Sequence, residues 1–385
     1  MSTRSDSSEP SRASRSHEAS QTPNLPKPKV PQTSKEWQEC SSKLAEDDPT
    51  LHTLQGIHSA SKLTALDFTS MRAIWPKLRK PERFPMMQDF PELDAYIERV
   101  GQPHYNTEPV YRDMGAFLLV RQSQSKINLE PASHGERPES DSVNMQPSLS
   151  KTPERRETSK PDYFGMDSES GRFSDISAIF RSEIKIEQTN DEQLVNDALI
   201  FFTKAVLVYQ SQIRCQWTSE RSLLSQAVFG NNTMNARTDG YLEADKEVFA
   251  IVEVKPNTRD PVNRPALLWQ ETGEMVVWIM HDQKHERKYN LRRRLIVSQD
   301  NHEIFLTIAS YDNQYLTYLK TGDTSEPSGT GGSGNHPFKP PFLKLQTYGP
   351  WSIIHPSHMH SLATIILCVA FEVTDDLNSA SPVGP

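Results

Sequence analysis

"TDGYLEADKEVFAIVEVKP", Thr238 to Pro256, is the stretch on which the reading of this chain turns. Val248 to Val254 has the composition of a strand that is apolar on both faces, interrupted only by Glu253. Lys255 follows two residues later, and Pro256, which cannot donate to a ladder, closes the run. Upstream, "NARTDGYL" reads as a second strand, with the polar "EADKE" as the turn between them. Paired positions in a hairpin sum to a constant, so a turn centred on Lys246 sets Asp239 opposite Glu253. Residues opposite one another in an antiparallel pair share a face, with Cβ atoms about 4.5–5.5 Å apart. Glu253 and Lys255 also share a face, because strand side chains alternate. One hairpin therefore predicts two carboxylates and an ammonium at one spot, and a slip of one residue would scatter them.

Two carboxylates at that spacing repel unless a proton or a cation lies between them. A hard divalent ion, Mg²⁺ or Mn²⁺, suits them: it accepts one or two carboxylates, keeps several waters and completes its shell with phosphate oxygens. Such an ion acidifies a bound water and stabilises charge on phosphorus oxygens. Lys255 would orient the water or neutralise the transition state. Asp239 and Glu253 are thus the expected metal ligands, and Asp239, Glu253, Lys255 and Gln270 the expected catalytic set.

Asp239 followed by Glu253-Val254-Lys255 on the next strand resembles the PD-(D/E)XK nuclease superfamily. The flanking "RTDGYL", "VFAIVEVKP" and "WQETGEMVVWI" resemble the nuclease-like domain proteins of that superfamily common in filamentous fungi. The likeness covers roughly 191–373, and it implies a restriction-endonuclease-like core. By that resemblance Asp239 and Glu253 match the metal-binding acids and Lys255 the active-site lysine. Gln270 matches a glutamine placed beside the site in several branches, and Glu220 a further acid of some branches. Thr238 stands where the motif name has proline. The activity implied is metal-dependent hydrolysis of nucleic-acid phosphodiester bonds, with DNA favoured over RNA. The alternative is the same fold without turnover, serving as a module that binds nucleic acid or protein.

Around the hairpin, "NDEQLVNDALIFFTKAVLVYQSQI" is a helix with Asn190 or Asp191 as N-cap, and "SLLSQAVFG" is a strand. "NRPALLWQETGEMVVWIMHD" is a second helix with Leu268, Met275, Trp278 and Ile279 on one side. "RRLIVSQD" and "HEIFLTIASYD" form a hairpin around Asp300-Asn301, and "FLKLQTYG" precedes an apolar C-terminal helix. This order predicts an α/β (α+β) fold, a mixed central β-sheet flanked by helices. The expected divisions are a disordered arm over 1–60, a helical extension over 61–121 with a helix near "DFPELDAYIERVG", and a disordered linker over 122–172. The nuclease-like domain then spans 173–374 and a tail 375–385.

The chain has 385 residues, 28 prolines, a formal charge of −8 and a hydrophobic share of 35%. That share falls below the roughly 45–50% of an ordinary globular chain, which is why disordered segments are expected. Met359 to Val373 is too short for the ~18 apolar residues of a membrane span and reads as a buried helix. The N-terminus lacks a signal-peptide core, and three scattered cysteines argue against disulfides or a thiolate zinc site. The expectation is an intracellular protein, nuclear or cytoplasmic, not secreted and not in a membrane. Its oligomeric state leaves no mark in the sequence.

The basic run Lys284 to Arg294 reads either as a solvated loop and strand edge or as a phosphate-facing or nuclear-import patch. Gln270 and Glu274, one helical turn apart, either face solvent or meet substrate or metal-bound water. His355, His358 and His360 fit a loop and helix start better than a metal site. Tyr311, Tyr315 and Tyr318 fit packing, with base stacking the alternative. Glu183-Ile184-Lys185, with Asp175 upstream, repeats the acid spacing without a hairpin, and Thr152-Pro153 is a common phosphorylation-type pair.

Overall fold

The computed structural model describes residues 30–44, 49–84, 116–127, 191–208, 210–221, 223–260, 264–284, 294–323 and 341–380. Their N-terminal elements are α1 (Ser34–Leu44), α2 (Ala65–Ser70), β1 (Ala73–Ile74), α3 (Phe117–Gln124) and α4 (Glu192–Leu207). Four strands follow, β2 (Gln216–Thr218), β3 (Leu223–Phe229), β4 (Asn232–Arg237) and β5 (Gly240–Ala244), and then β6 (Glu247–Lys255). The chain continues through α5 (Arg264–Lys284), β7 (Arg294–Asp300), β8 (Glu303–Ser310), α6 (Asn313–Thr321), β9 (Leu343–Ser352) and α7 (Pro356–Ala380).

Among the described residues the main sheet has seven strands, ordered β1-β9-β8-β7-β6-β5-β2, while β3 and β4 pair as a separate hairpin. β6 and β7, joined through α5, run parallel, and β1 and β9 also pair in parallel; the other neighbours are antiparallel. The fold is mixed α/β with helices on both faces of a mixed sheet. On one face α4 and α7 bury Leu199, Phe202, Ile366 and Ala370 against Leu242, Val252 and Val254. On the other, α5, α6 and the small hairpin cover Ile251 and Ile296 with Met275, Trp278, Phe229 and Tyr315. β6 is therefore covered on both sides, which explains its unbroken apolar text.

Local chemistry sets the ends of these elements. Asp191 caps α4 by accepting from the Gln193 N–H at 2.9 Å, and Asp312 caps α6 by accepting from Tyr315 N–H at 2.9 Å. Gly322, at φ +73°, ends α6 in the left-handed conformation that glycine adopts without strain.

The hairpin that decides the site is built with a twist that the simple sum does not contain. At the tip, Ala244 pairs with Glu247, and Asp245 and Lys246 turn the chain with φ of +48° and +68°. That register sums to 491, one less than a turn centred on Lys246 requires. A bulge between Leu242 and Glu243 then restores Gly240 opposite Val252, a sum of 492. Extended by one residue beyond the ladder, that sum sets Asp239, just before β5, opposite Glu253. Without the bulge the alternation would carry Asp239 to the other face.

The N-terminal third departs from expectation. The segment expected as a disordered arm over 1–60 contains α1 and the buried Trp37, Leu51 and Ala60. The Trp37 indole donates to the Thr69 carbonyl at 3.0 Å and its ring lies 4.9 Å from the Arg72 guanidinium. Within the expected helical extension over 61–121, α2 and the start of α3 are helical, and the segment also supplies β1 to the main sheet and Phe84, Phe117 and Val120 to the core. Few apolar residues are needed for this, because Trp37, Leu51 and Phe84 are among the largest fully buried side chains, and the polar composition around them conceals them. The expected helix at "DFPELDAYIERVG", Thr152-Pro153, Asp175, the Glu183-Ile184-Lys185 copy and the boundary near Phe173 lie outside the described residues.

α7 runs beyond the apolar stretch expected and into the expected tail, burying Leu377. Over Ser357–Ser379 it is long and apolar enough to cross a membrane by length and composition, yet it is 67% buried against the protein. The histidines fall at its start: Ser352 N–H donates to His358 Nδ1 at 3.1 Å, and the His355 and His358 rings stand 5.2 Å apart. Tyr315 and Tyr318 are wholly buried, with hydroxyls donating to the Met71 and Ser70 carbonyls, so both are packing residues.

Candidate active site

The chain leaves the small hairpin at Arg237 and joins the main sheet at Gly240, and Asp239 sits in that crossing. Gly240 is tight against β2, where an added Cβ would lie 2.5 Å from the Thr218 carbonyl oxygen. Asp239 itself finishes the ladder. Its N–H donates to Val252 O at 3.0 Å, and its carboxylate Oδ2 accepts the Val254 N–H at 3.1 Å. The Asn196 side chain of α4 donates to the Asp239 carbonyl at 2.9 Å. A residue placed by backbone, side chain and helix together is rigidly aimed.

Glu253 and Lys255 follow on β6, and Lys255 Nζ donates to Glu253 Oε1 at 2.5 Å. The end of that strand is pinned by Asn301, whose N–H donates to Lys255 O and whose side chain donates to Pro256 O, each at 2.8 Å. α5 crosses above. Gln270 Nε2 donates to Glu253 Oε1, and to Glu274 Oε1 at 2.9 Å. The structure thus gathers Glu253, Lys255 and Gln270 in direct contact, with Asp239 held beside them by the Val252 and Val254 backbone and near enough to act electrostatically on Glu253. Gln270 and Glu274 do not form a solvent face: Glu271 and Glu274 are buried, because α5 is covered on all sides.

Three residues that the sequence reading did not single out complete the charge pattern. Arg221 Nη2 lies 3.2 Å from Asp239 Oδ1 and 3.7 Å from Glu192 Oε1. Glu192, in the first turn of α4, lies 4.0 Å from Lys255 Nζ. The chain of contacts therefore alternates in sign from Asp239 through Arg221, Glu192 and Lys255 to Glu253. Beside it, Arg259 is buried, paired with both Asp300 and Glu271, and Glu271 also accepts from the Ser298 hydroxyl at 2.7 Å. Acidic residues in a helix's first turn are so common that Glu192 carries no motif; Arg221 sits in "SERS" with none at all. Glu220 lies apart, accepting from the Tyr241 hydroxyl at 3.2 Å.

Burial pushes the Glu253 carboxyl up to about 8; Asp239 and Glu271 add to the rise and Lys255 opposes it. Burial likewise raises Glu274 well above the carboxylate range, with Glu253 adding. Burial works to lower Lys255, but the carboxylates of Glu253, Glu192 and Glu274 together lift it above its ordinary value. Acidic side chains thus outnumber basic ones here, and burial favours the protonated form of Glu253 and Glu274.

Does that suit a divalent ion? Among the described residues no group of three or more His, Cys, Asp or Glu side chains stands ready to hold a metal. Asp239 and Glu253 would offer two carboxylates, and a hard divalent ion accepts as few as one or two of these while keeping several waters. The donors are hard oxygens, and the Glu271 and Glu274 Oε2 atoms are buried without a hydrogen-bond partner. A hard cation beside such acids would favour their ionised form.

Of the basic run, Arg294 is buried, donating to the Tyr311 hydroxyl, 2.8 Å from Asp282, and lying over the Trp278 ring at 4.8 Å. Arg294 is thus a packing residue and not a phosphate contact; 285–293 lie outside the described residues. Comparison with family models, with curated proteins and with solved structures finds no match to this chain.

Proposed function

We propose that this chain is a divalent-metal-dependent phosphodiesterase of the PD-(D/E)XK nuclease type, with a restriction-endonuclease-like core, acting on nucleic acid and on DNA ahead of RNA. The observation that carries the reading is the bulged hairpin, which sets Asp239 at the level of Glu253 with Lys255 beside it and Gln270 reaching down from α5. Asp239 and Glu253 would hold Mg²⁺ or Mn²⁺. When bound, that ion supplies Lewis acidity to the phosphate and acidifies the attacking water. Lys255 presents an ammonium that stays protonated, so it orients the water and neutralises charge rather than acting as a base. Gln270 fixes the Glu253 carboxylate by holding Oε1. An intracellular, nuclear or cytoplasmic, location fits a nucleic-acid substrate.

A second reading, a nuclease-fold module that binds nucleic acid or protein without turnover, is favoured by one feature. Lys255 and Gln270 both rest on Glu253 Oε1, so the acid is partly satisfied from within. A cleavage assay on DNA and RNA with Mg²⁺ or Mn²⁺ separates the two. The expected result is cleavage by the parent chain that falls at least about a hundredfold in Glu253→Ala and Lys255→Ala. Equal cleavage by all three would refute the assignment of the site, and a parent that binds nucleic acid without cutting it would establish the second reading.

A further inference from the structure

We propose that Arg221 is an exchangeable counter-cation: it occupies Asp239 until a divalent ion takes its place, and then meets the substrate phosphate. The inference rests on the metal reading above and adds the residue that receives the phosphate. Asp239 has two carboxylate oxygens. Oδ2 is committed to the Val254 N–H at 3.1 Å, a bond that continues the sheet. Oδ1 is the oxygen left for a ligand, and Arg221 Nη2 stands 3.2 Å from it. A divalent ion and a guanidinium on one oxygen repel one another, so loading of the metal displaces the arginine.

Arg221 is built to leave. Its second partner, Glu192 Oε1, is 3.7 Å away, beyond hydrogen-bond distance, and its side chain is 39% exposed. Arg259 makes the contrast: it is buried and held from two sides by Asp300 and Glu271. Lys255 is similarly committed, at 2.5 Å from Glu253. A released guanidinium keeps its charge and its planar fork of donors, which matches two oxygens of one phosphate group. A phosphate drawn to an ion held by Asp239 and Glu253 would lie within reach of the freed arginine.

The test uses the full chain and two readouts other than cleavage: Mn²⁺ titration by calorimetry, and fluorescence anisotropy of a labelled DNA duplex with Ca²⁺ present. Arg221→Gln should bind Mn²⁺ about two- to fivefold more tightly, the worth of a part-exposed ion pair. The same variant should bind the duplex about tenfold more weakly, having lost a charge-assisted fork. Arg221→Lys keeps the charge and loses the fork, so it should bind Mn²⁺ like the parent and the duplex with an affinity between those of the parent and Arg221→Gln. Parent-like Mn²⁺ affinity or parent-like duplex binding in Arg221→Gln would overturn the role given to Arg221 while leaving the metal site intact. A parent chain that takes up no Mn²⁺ would remove the metal reading and this inference with it. Unchanged melting curves in both variants establish that the readouts report binding and not loss of fold.

Discussion

Glu253 is 3% exposed, rests on Lys255 and Gln270, and shares its surroundings with Asp239, Glu271 and Glu274. Its folded value of about 8 lies above the ordinary 4.5, so the native state holds that proton more tightly than the unfolded chain does. The stability it contributes is full below about 4.5 and is lost as pH rises through about 8. Melting temperature of the metal-free chain should therefore fall across that interval, and Glu253→Gln, which cannot ionise, should flatten the fall. Melting curves across the interval check this; an equally steep fall in Glu253→Gln would place the cause elsewhere. Asp239, Glu253 and Lys255 were legible from the sequence because alternation along a strand and pairing across a turn are local rules. Arg221, Glu192 and Arg259 were not, since each reaches the site from a separate segment by tertiary packing.

Among the elements, the β5–β6 hairpin shows how far such rules reach. The strands, the turn and the following helix were readable from period and punctuation, whereas the bulge between Leu242 and Glu243 has no sequence signal of its own. The centre placed on Lys246 gives the right register at the site only because the bulge offsets the shorter turn. Lys246 holds φ +68°, which costs a residue with a Cβ about 1–2 kcal/mol. Lys246→Gly should therefore stabilise the protein by about 1 kcal/mol in chemical denaturation without altering the site. Gly240→Ala should do the reverse: its Cβ meets backbone at 2.5 Å, and overpacking of that kind costs about 1–3 kcal/mol. An Ala variant as stable as the parent would mean that β2 and β5 do not approach as closely as described.

At the scale of the whole molecule, residues of the segment expected as a disordered arm over 1–60 pack into the domain. Trp37 packs edge-on to Phe342, bonds to Thr69 and stacks with Arg72, which lies between Trp37 and Tyr318 at 4.9 and 5.0 Å. Gly273 of α5 is pressed against Ala60 and Leu63, where an added Cβ would stand 2.9 Å from each side chain. Low apolar content hid this because a few large side chains, spaced without period, do the packing. Trp37→Ala should cost about 3–5 kcal/mol in equilibrium unfolding; a change within about 0.5 kcal/mol would return the segment to the status of an arm. The same scale shows why charge sums mislead. The net −8 says little about partners when acids and cations concentrate at one end of β6.

The most direct measurement is anomalous diffraction from crystals of the protein soaked in Mn²⁺. A single strong peak bound by both the Asp239 and Glu253 carboxylates is expected, with Arg221 moved off Asp239. Density showing Arg221 still on Asp239, Lys255 still on Glu253 and no manganese between the two acids would contradict it.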